Sequence, residues 1–181
     1  VKIINNSWSI GFSDSFSQSV YDAIKDSNAL FVAAAGNDSL YIDGSSPSYP
    51  ASYNLPNILS VASINHYGTV PWWSNYGEVN VDLVAPGYEI LSTIPGTSGD
   101  YSYAYGSYSG TSMSAAFATG TAALLLSTSS SMSSLTMKDK IMNNTTPLQS
   151  LVGYVGTRGL LNAGKALGDY TPPVPDNDVP G

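Results

Sequence analysis

The sequence predicts an α/β fold: a mostly parallel, twisted sheet with helices on both faces. Three observations carry this. Segments of strand length alternate with segments of helical length, which is the pattern of a parallel sheet covered on both sides. Leu30-Phe31-Val32-Ala33-Ala34-Ala35 is apolar without interruption and ends abruptly at Gly36-Asn37, as a buried parallel strand does. The Ala-, Gly- and Leu-rich run from Phe117 to Ser127 reads as a buried helix.

Taken in chain order, Lys2 to Asn6 reads as a strand. Ser15 to Asp26 reads as a helix, with Phe16, Val20, Ala23 and Ile24 on one face. Leu30 to Ala35 is the buried strand. Asp38 to Asn57 is a loop rich in Pro, Ser and Tyr. Asn57 to Ile64 and Val79 to Val84 are strands. Ile90 to Thr93 and Tyr105 to Ser109 are short strands that could pair with each other. Met113 to Ser127 is the central helix, Leu135 to Asn144 a further helix, and Asn162 to Leu167 a last short one. No internal repeat is evident.

Length and composition bound the answer. A chain of 181 residues suits one domain with a sizeable core. Residues 1–168 are expected to form that domain, and the Pro- and Asp-rich stretch 169–181 reads as a linker or tail. The charged fraction is low at 10%, and 13 tyrosines with many Ser, Asn and Gly replace charges on the surface, a habit of secreted or cell-surface proteins. The net charge of −7 and the lack of a basic stripe argue against a nucleic-acid partner. There are no cysteines, hence no disulfide and no thiolate metal site. The apolar stretch around Ala115 to Leu126 is too short for a membrane span. Val1 is not an initiating methionine, and any targeting signal is expected upstream of it.

Chemistry concentrates in Gly110-Thr111-Ser112-Met113-Ser114-Ala115-Ala116. A hydroxyl between small residues, just ahead of a helix, meets free N–H groups and the positive end of the macrodipole. A nucleophile that must carry an oxyanion beside it wants this position. The plainer reading of a lone Gly-Thr-Ser is a helix cap. Asn37, at the carboxyl end of its strand, is either an ordinary turn residue or an amide donor to an oxyanion, since open α/β sheets place their sites at that end.

Together these segments resemble the subtilisin-like serine proteases, the subtilases. The serine box Gly110-Thr111-Ser112-Met113-Ser114 continues to Gly120, and Ala34-Ala35-Gly36-Asn37 is the oxyanion match. Tyr49-Pro50, Ile58 to Ala62 and Val81 to Gly87 follow in family order. Ile3 to Ser9 is similar to the family's strand and substrate-binding segment. Gly159 to Ala163 is similar to its closing segment, and Gly159 to Leu167 resembles subtilases carried on bacterial autotransporters. The likeness runs from Ile3 to about Leu167. It implies a subtilisin-like fold and peptide-bond hydrolysis with Ser112 as nucleophile and Asn37 in the oxyanion hole. It also implies a substrate pocket flanked by Ser7, Trp8, Ser9 and Ala34, Ala35, Gly36, with Ser48 near its floor. Trp8 has an alternative reading as a core aromatic.

The resemblance also exposes what is absent. The family's catalytic Asp and His lie upstream of the segment where this chain begins, so the amino-terminal part of the fold is expected to be missing here. His66, the sole histidine, reads as a surface-turn residue and matches no catalytic motif. Asp14, Asp22, Asp26, Asp38, Asp43, Asp82 and Asp100 stand in the wrong context for the catalytic acid. A companion amino-terminal fragment of the same protease is therefore the implied partner, beside a peptide or protein substrate. The alternative is a non-catalytic peptide-binding or scaffold protein that keeps a subtilase core.

Some positions depart from the family pattern. Ser9 replaces a glycine and narrows the pocket. Ala116 replaces a proline in the serine helix and Phe117 a residue that is often histidine. Alanine is expected to keep that helix and relax its start, altering the placement of Ser112 and the balance between hydrolysis and transfer to another amine. Asp82 and the carbonyls near Ala51 and Tyr53 match a weak cation site of some relatives, but Asn80 takes the place of an acidic ligand. No metal is expected on this chain alone, and no cofactor is required by it, although calcium fits the complete enzyme.

Overall fold

The computed structural model describes residues 1–10, 16–95 and 104–168. The expected linker at 169–181, the start of the first helix at Ser15, and Asp14 and Asp100 lie outside these residues. The strands are β1 (Ile3–Asn6), β2 (Leu30–Ala34), β3 (Ile58–Ile64), β4 (Leu83–Pro86), β5 (Ile90–Ile94), β6 (Ala104–Tyr108), β7 (Thr146–Pro147) and β8 (Gly159–Leu160). The helices are α1 (Gln18–Lys25), α2 (Thr111–Thr128), α3 (Ser134–Met142) and α4 (Ala163–Leu167).

Six strands form one sheet in the order β1-β2-β3-β4-β8-β7, and β5 pairs with β6 as a separate antiparallel ribbon. Every neighbouring pair in the sheet is parallel except β7 with β8. Alternate residues of each strand point to opposite faces, and both faces are buried. Leu30, Val32 and Ala34 of β2 pack with Leu59, Val61 and Leu83 beneath α2, α3 and α4. Ala33, Ala62 and Val84 face the other way, towards Ile24 of α1 and the Tyr53–Leu55 loop. All seven residues of β3 are buried, which is why it carries no polar alternation. Among the described residues, no helix is long and apolar enough to cross a membrane.

Side-chain caps set the helix starts. Ser17 accepts the Val20 N–H ahead of α1, and Ser133 accepts the Thr136 N–H ahead of α3. Phe16 therefore stands outside α1 rather than on its face. It packs at 5.8 Å from the Tyr21 ring, a hydrophobic staple across the cap.

Two further expectations are corrected. Val79 to Val84 does not form a strand along its length: residues 78–80 turn, and pairing begins at Leu83. The Asp43 carboxylate accepts the N–H groups of Val79 and Asn80 at 2.9 and 2.7 Å, taking the donors a strand would have used. Nor is α2 buried all round. Ala115, Ala118, Ala122 and Leu125 face the sheet, whereas Phe117 and Leu124 are 44% and 50% exposed. The short strands β7 and β8, which close the far side of the sheet, escape sequence reasoning because two residues show no periodicity.

Candidate active site

Ser112 is the second residue of α2, and the backbone turns into that helix through Gly110. Gly110 donates its N–H to the Gly87 carbonyl at 2.8 Å, seating the serine loop against the end of β4. Space there is tight: a Cβ on Gly87 would stand 2.2 Å from Ser114 Oγ and 2.8 Å from the Gly110 carbonyl. Ser114 is buried, and its hydroxyl donates to the Ala85 carbonyl at 3.0 Å, fixing the first turn to β4. Ser112 itself remains half-exposed.

Asn37 leaves the carboxyl end of β2 and meets the same turn. Its Oδ1 accepts both the Thr111 N–H at 2.9 Å and the Thr111 hydroxyl at 3.0 Å. The carboxamide thus acts as a remote cap on a helix that lacks a side-chain cap of its own. Asn37 is exposed, and its Nδ2 has no hydrogen-bond partner among the described residues. Thr111 Oγ1 also accepts the Gly36 N–H at 3.1 Å, so one buried hydroxyl aligns Gly36, Asn37 and the helix start.

The segments expected to bind substrate converge here. Ser7 and Ser112 exchange hydrogen bonds: the Ser7 hydroxyl donates to the Ser112 carbonyl at 2.8 Å, and the Ser112 hydroxyl to the Ser7 carbonyl at 3.0 Å. Trp8 is 44% exposed, so its core reading is excluded. Beyond Ser9, Ile10 pairs with Tyr49 through two backbone hydrogen bonds. Ala34, Ala35 and Gly36 are buried at the carboxyl end of β2. Gly36 has φ +106°, and a Cβ there would lie 3.0 Å from Ser48 Oγ. Ser48 is fully buried, and its hydroxyl has no protein partner among the described residues.

Two organising groups were missed by sequence reasoning. Asn75 is fully buried: its Nδ2 donates to the Ala35 carbonyl, and its Oδ1 accepts the N–H groups of Asp38 and Leu40. It splints the turn that carries Asn37. Asn5 links Thr119 of α2 to Ser7, accepting from Thr119 Oγ1 and donating to Ser7 Oγ, each at 2.8 Å. In the sequence Asn5 reads only as part of the first strand, and Asn75 carries no signal.

As expected, alanine at position 116 keeps the helix, which runs unbroken through it. Ala116 is the sixth residue of α2, beyond the first turn where proline is accommodated. Its N–H points at the carbonyl four residues back, that of Ser112. The alanine therefore leaves the Ser112 carbonyl a regular helical partner as well as Ser7. His66 is exposed on the loop after β3, its ring 3.9 Å from that of Tyr67, and takes no part in the hydrogen bonds of Ser112.

Asp82 directly precedes β4, an interior strand, and is 15% exposed, with Lys138 Nζ at 3.1 Å and the Ser60 N–H donating to it at 2.8 Å. Lys138 also donates to the Ile58 carbonyl. Burial holds the Asp82 carboxyl above its ordinary 3.8, a rise that Lys138 and the Ser60 amide partly offset. These residues do not fit a divalent cation. An ammonium already faces the carboxylate, and the Asn80 amide donates to the Ile42 carbonyl instead of offering charge. Among the described residues, no three His, Cys, Asp or Glu side chains come together to hold a metal.

Ser112 thus stands at a helix N-terminus, next to a residue held by the Asn37 carboxamide, at the carboxyl end of a parallel sheet. The sequence matches the subtilase family over residues 1–164, and the chain belongs to that family. It is 33% identical over 145 residues to a subtilisin of Bacillus pumilus, covering 80% of this chain and 49% of that protein. It is 41% identical over 117 residues to an extracellular basic protease of Dichelobacter nodosus, covering 64% of this chain and 18% of that one. A solved protease of Pseudoalteromonas arctica superposes with a TM-score of 0.77 at 27% identity, covering 92% of this chain and 50% of that one. The chain spans half or less of each of these relatives.

Proposed function

We propose that this chain supplies the nucleophile and half of the oxyanion site of a secreted or surface subtilisin-like serine endopeptidase. An upstream segment or companion chain would bring the Asp and His. The observation that carries the reading is the double hydrogen bond from Thr111 to Asn37 Oδ1, because it ties the carboxamide to the residue before Ser112 and leaves Nδ2 without a hydrogen-bond partner among the described residues.

In the proposed reaction Ser112 Oγ attacks the scissile carbonyl while an imidazole takes its proton. Asn37 Nδ2 and the Ser112 N–H receive the oxyanion. Collapse expels the amine, which leaves with that proton, and water then cleaves the acyl ester. An extended substrate would lie between Ser7–Ser9 and Ala34–Gly36 as an added strand, with Ser48 beneath it.

Support for a companion comes from a groove of about 840 Å³ that opens beside Ser112. Leu91, Tyr108, Phe117 and Leu124 line it. Beside it, β1 ends the sheet with its outer edge unpaired among the described residues. Apolar surface and an open strand edge together suit further chain of the same fold. The extracellular Dichelobacter relative supports secretion.

The test is fluorophosphonate labelling of the assembled protein, read by intact mass. The expected result is one adduct that Ser112→Ala abolishes, on material that also contains the Asp- and His-bearing segment. Assembled protein that never labels would overturn the reading and favour a peptide-binding scaffold.

A further inference from the structure

A second cleft, of about 470 Å³, opens past the carboxyl ends of β3 and β4. His66, Tyr67, Trp72, Tyr88 and Glu89 line it. Trp72 is 85% and Tyr67 79% exposed, so neither serves a core. The His66 ring stands 3.9 Å from that of Tyr67 and 6.4 Å from that of Tyr88, bringing the aromatic surface together. Contiguous exposed aromatic surface marks a recognition site.

Both walls are tied to the Ser112 site. On one side the Ser39 hydroxyl donates to the Trp72 carbonyl at 2.8 Å, and its N–H to the Trp73 carbonyl at 2.9 Å. Ser39 belongs to the turn that carries Asn37. On the other side the Glu89 N–H donates to Ser109 Oγ at 2.9 Å, just ahead of the serine loop. Glu89 is held at φ +53°, a left-handed conformation that costs a non-glycine residue free energy and that gathers at functional sites.

The charge in the cleft has one sign. Among the described residues that line it, Glu89 is the one carboxylate and none is a lysine or arginine. The whole chain carries −7, which draws basic partners. Flat aromatic faces beside one carboxylate match a guanidinium, which stacks on its plane and donates at its edge.

We propose that this cleft is an accessory subsite that takes an arginine side chain of the peptide substrate, away from the scissile bond. The word substrate rests on the peptidase reading above; the binding itself does not. Acetyl-arginine-amide, titrated into the assembled protein and followed by NMR of the Trp72 indole, tests it against the uncharged citrulline analogue. Trp72→Phe assigns the indole signal. The expected result is saturable shifts at Trp72, with citrulline weaker by about tenfold, the cost of one charge-assisted hydrogen bond. Glu89→Gln should remove that preference and leave fluorophosphonate labelling of Ser112 unchanged. Equal binding of arginine and citrulline, or no saturable shift, would overturn the proposal. Arginine binding without labelling would sink the peptidase reading and keep the cleft, whereas labelling without arginine preference would sink the cleft alone.

Discussion

Replacing Lys138 by methionine strips the ammonium from beside Asp82 and leaves the carboxylate with the Ser60 amide alone. The two groups are 3.1 Å apart. At an effective dielectric of about 20 that separation corresponds to an attraction on the order of 5 kcal/mol. Desolvation of both ions offsets part of this, and removing one member of a buried pair costs about 3–5 kcal/mol. Side-chain exposures of 18% and 15% place this pair at the lower end, near 3 kcal/mol by that scale.

The pH dependence fixes the cause. Burial already raises the Asp82 carboxyl above 3.8, and losing Lys138 raises it further. A carboxyl raised in the folded state binds its proton more tightly there than in the unfolded chain. Stability therefore falls as pH rises from the ordinary value to the raised one, and is flat above it. The Lys138→Met penalty should be full at neutral pH and shrink on acidification towards 3.8, as Asp82 becomes neutral. Urea unfolding of the assembled protein and its variant, at neutral and mildly acidic pH, measures both quantities. Adding Asp82→Asn should recover much of the loss, since no charge is then left unpaired. An equal loss at both pH values, or one below about 0.5 kcal/mol, would show that solvent screens the pair and refute the reasoning.

Other outcomes follow from the site. Thr111→Val keeps the side-chain shape but orphans the Gly36 N–H and removes one of two anchors on Asn37. The expected result is a fall in kcat of about tenfold, from roughly 1–2 kcal/mol, with KM nearly unchanged and recovery in Thr111→Ser; a change confined to KM would contradict it. Gly87→Ala drives a methyl against Ser114 Oγ and the Gly110 carbonyl, so it should lower stability by about 1–3 kcal/mol and slow Ser112 labelling. An unchanged labelling rate would refute that seating role. Ser48→Ala removes a buried hydroxyl without a protein partner and should raise the melting temperature, by about 1 kcal/mol of stability. A lower melting temperature would show that the hydroxyl is satisfied.

The parallel sheet was legible because its strands are buried on both faces and carry uninterrupted apolar runs, Leu30–Ala34 above all. Ser112 was legible because a small-residue helix start leaves a local signature. Asn37 could be named but not placed, since its role depends on Thr111, 74 positions along the chain. Asn75 was invisible for the same reason: its partners at Ala35, Asp38 and Leu40 are set by the fold. Val79 to Val84 misled because alternating valines satisfy the strand pattern, while the competing acceptor, Asp43, lies far away in sequence. The exposed stripe of α2 misled differently. Its residues are as apolar as the buried ones, so composition could not reveal which face lacked a neighbour.

The path from Thr119 through Asn5 and Ser7 to the Ser112 carbonyl begins on α2, crosses the outermost strand and returns to α2. That strand has β2 on one side and, among the described residues, nothing on the other. A further strand paired along that margin would therefore lie next to Asn5, the link between Thr119 and Ser7.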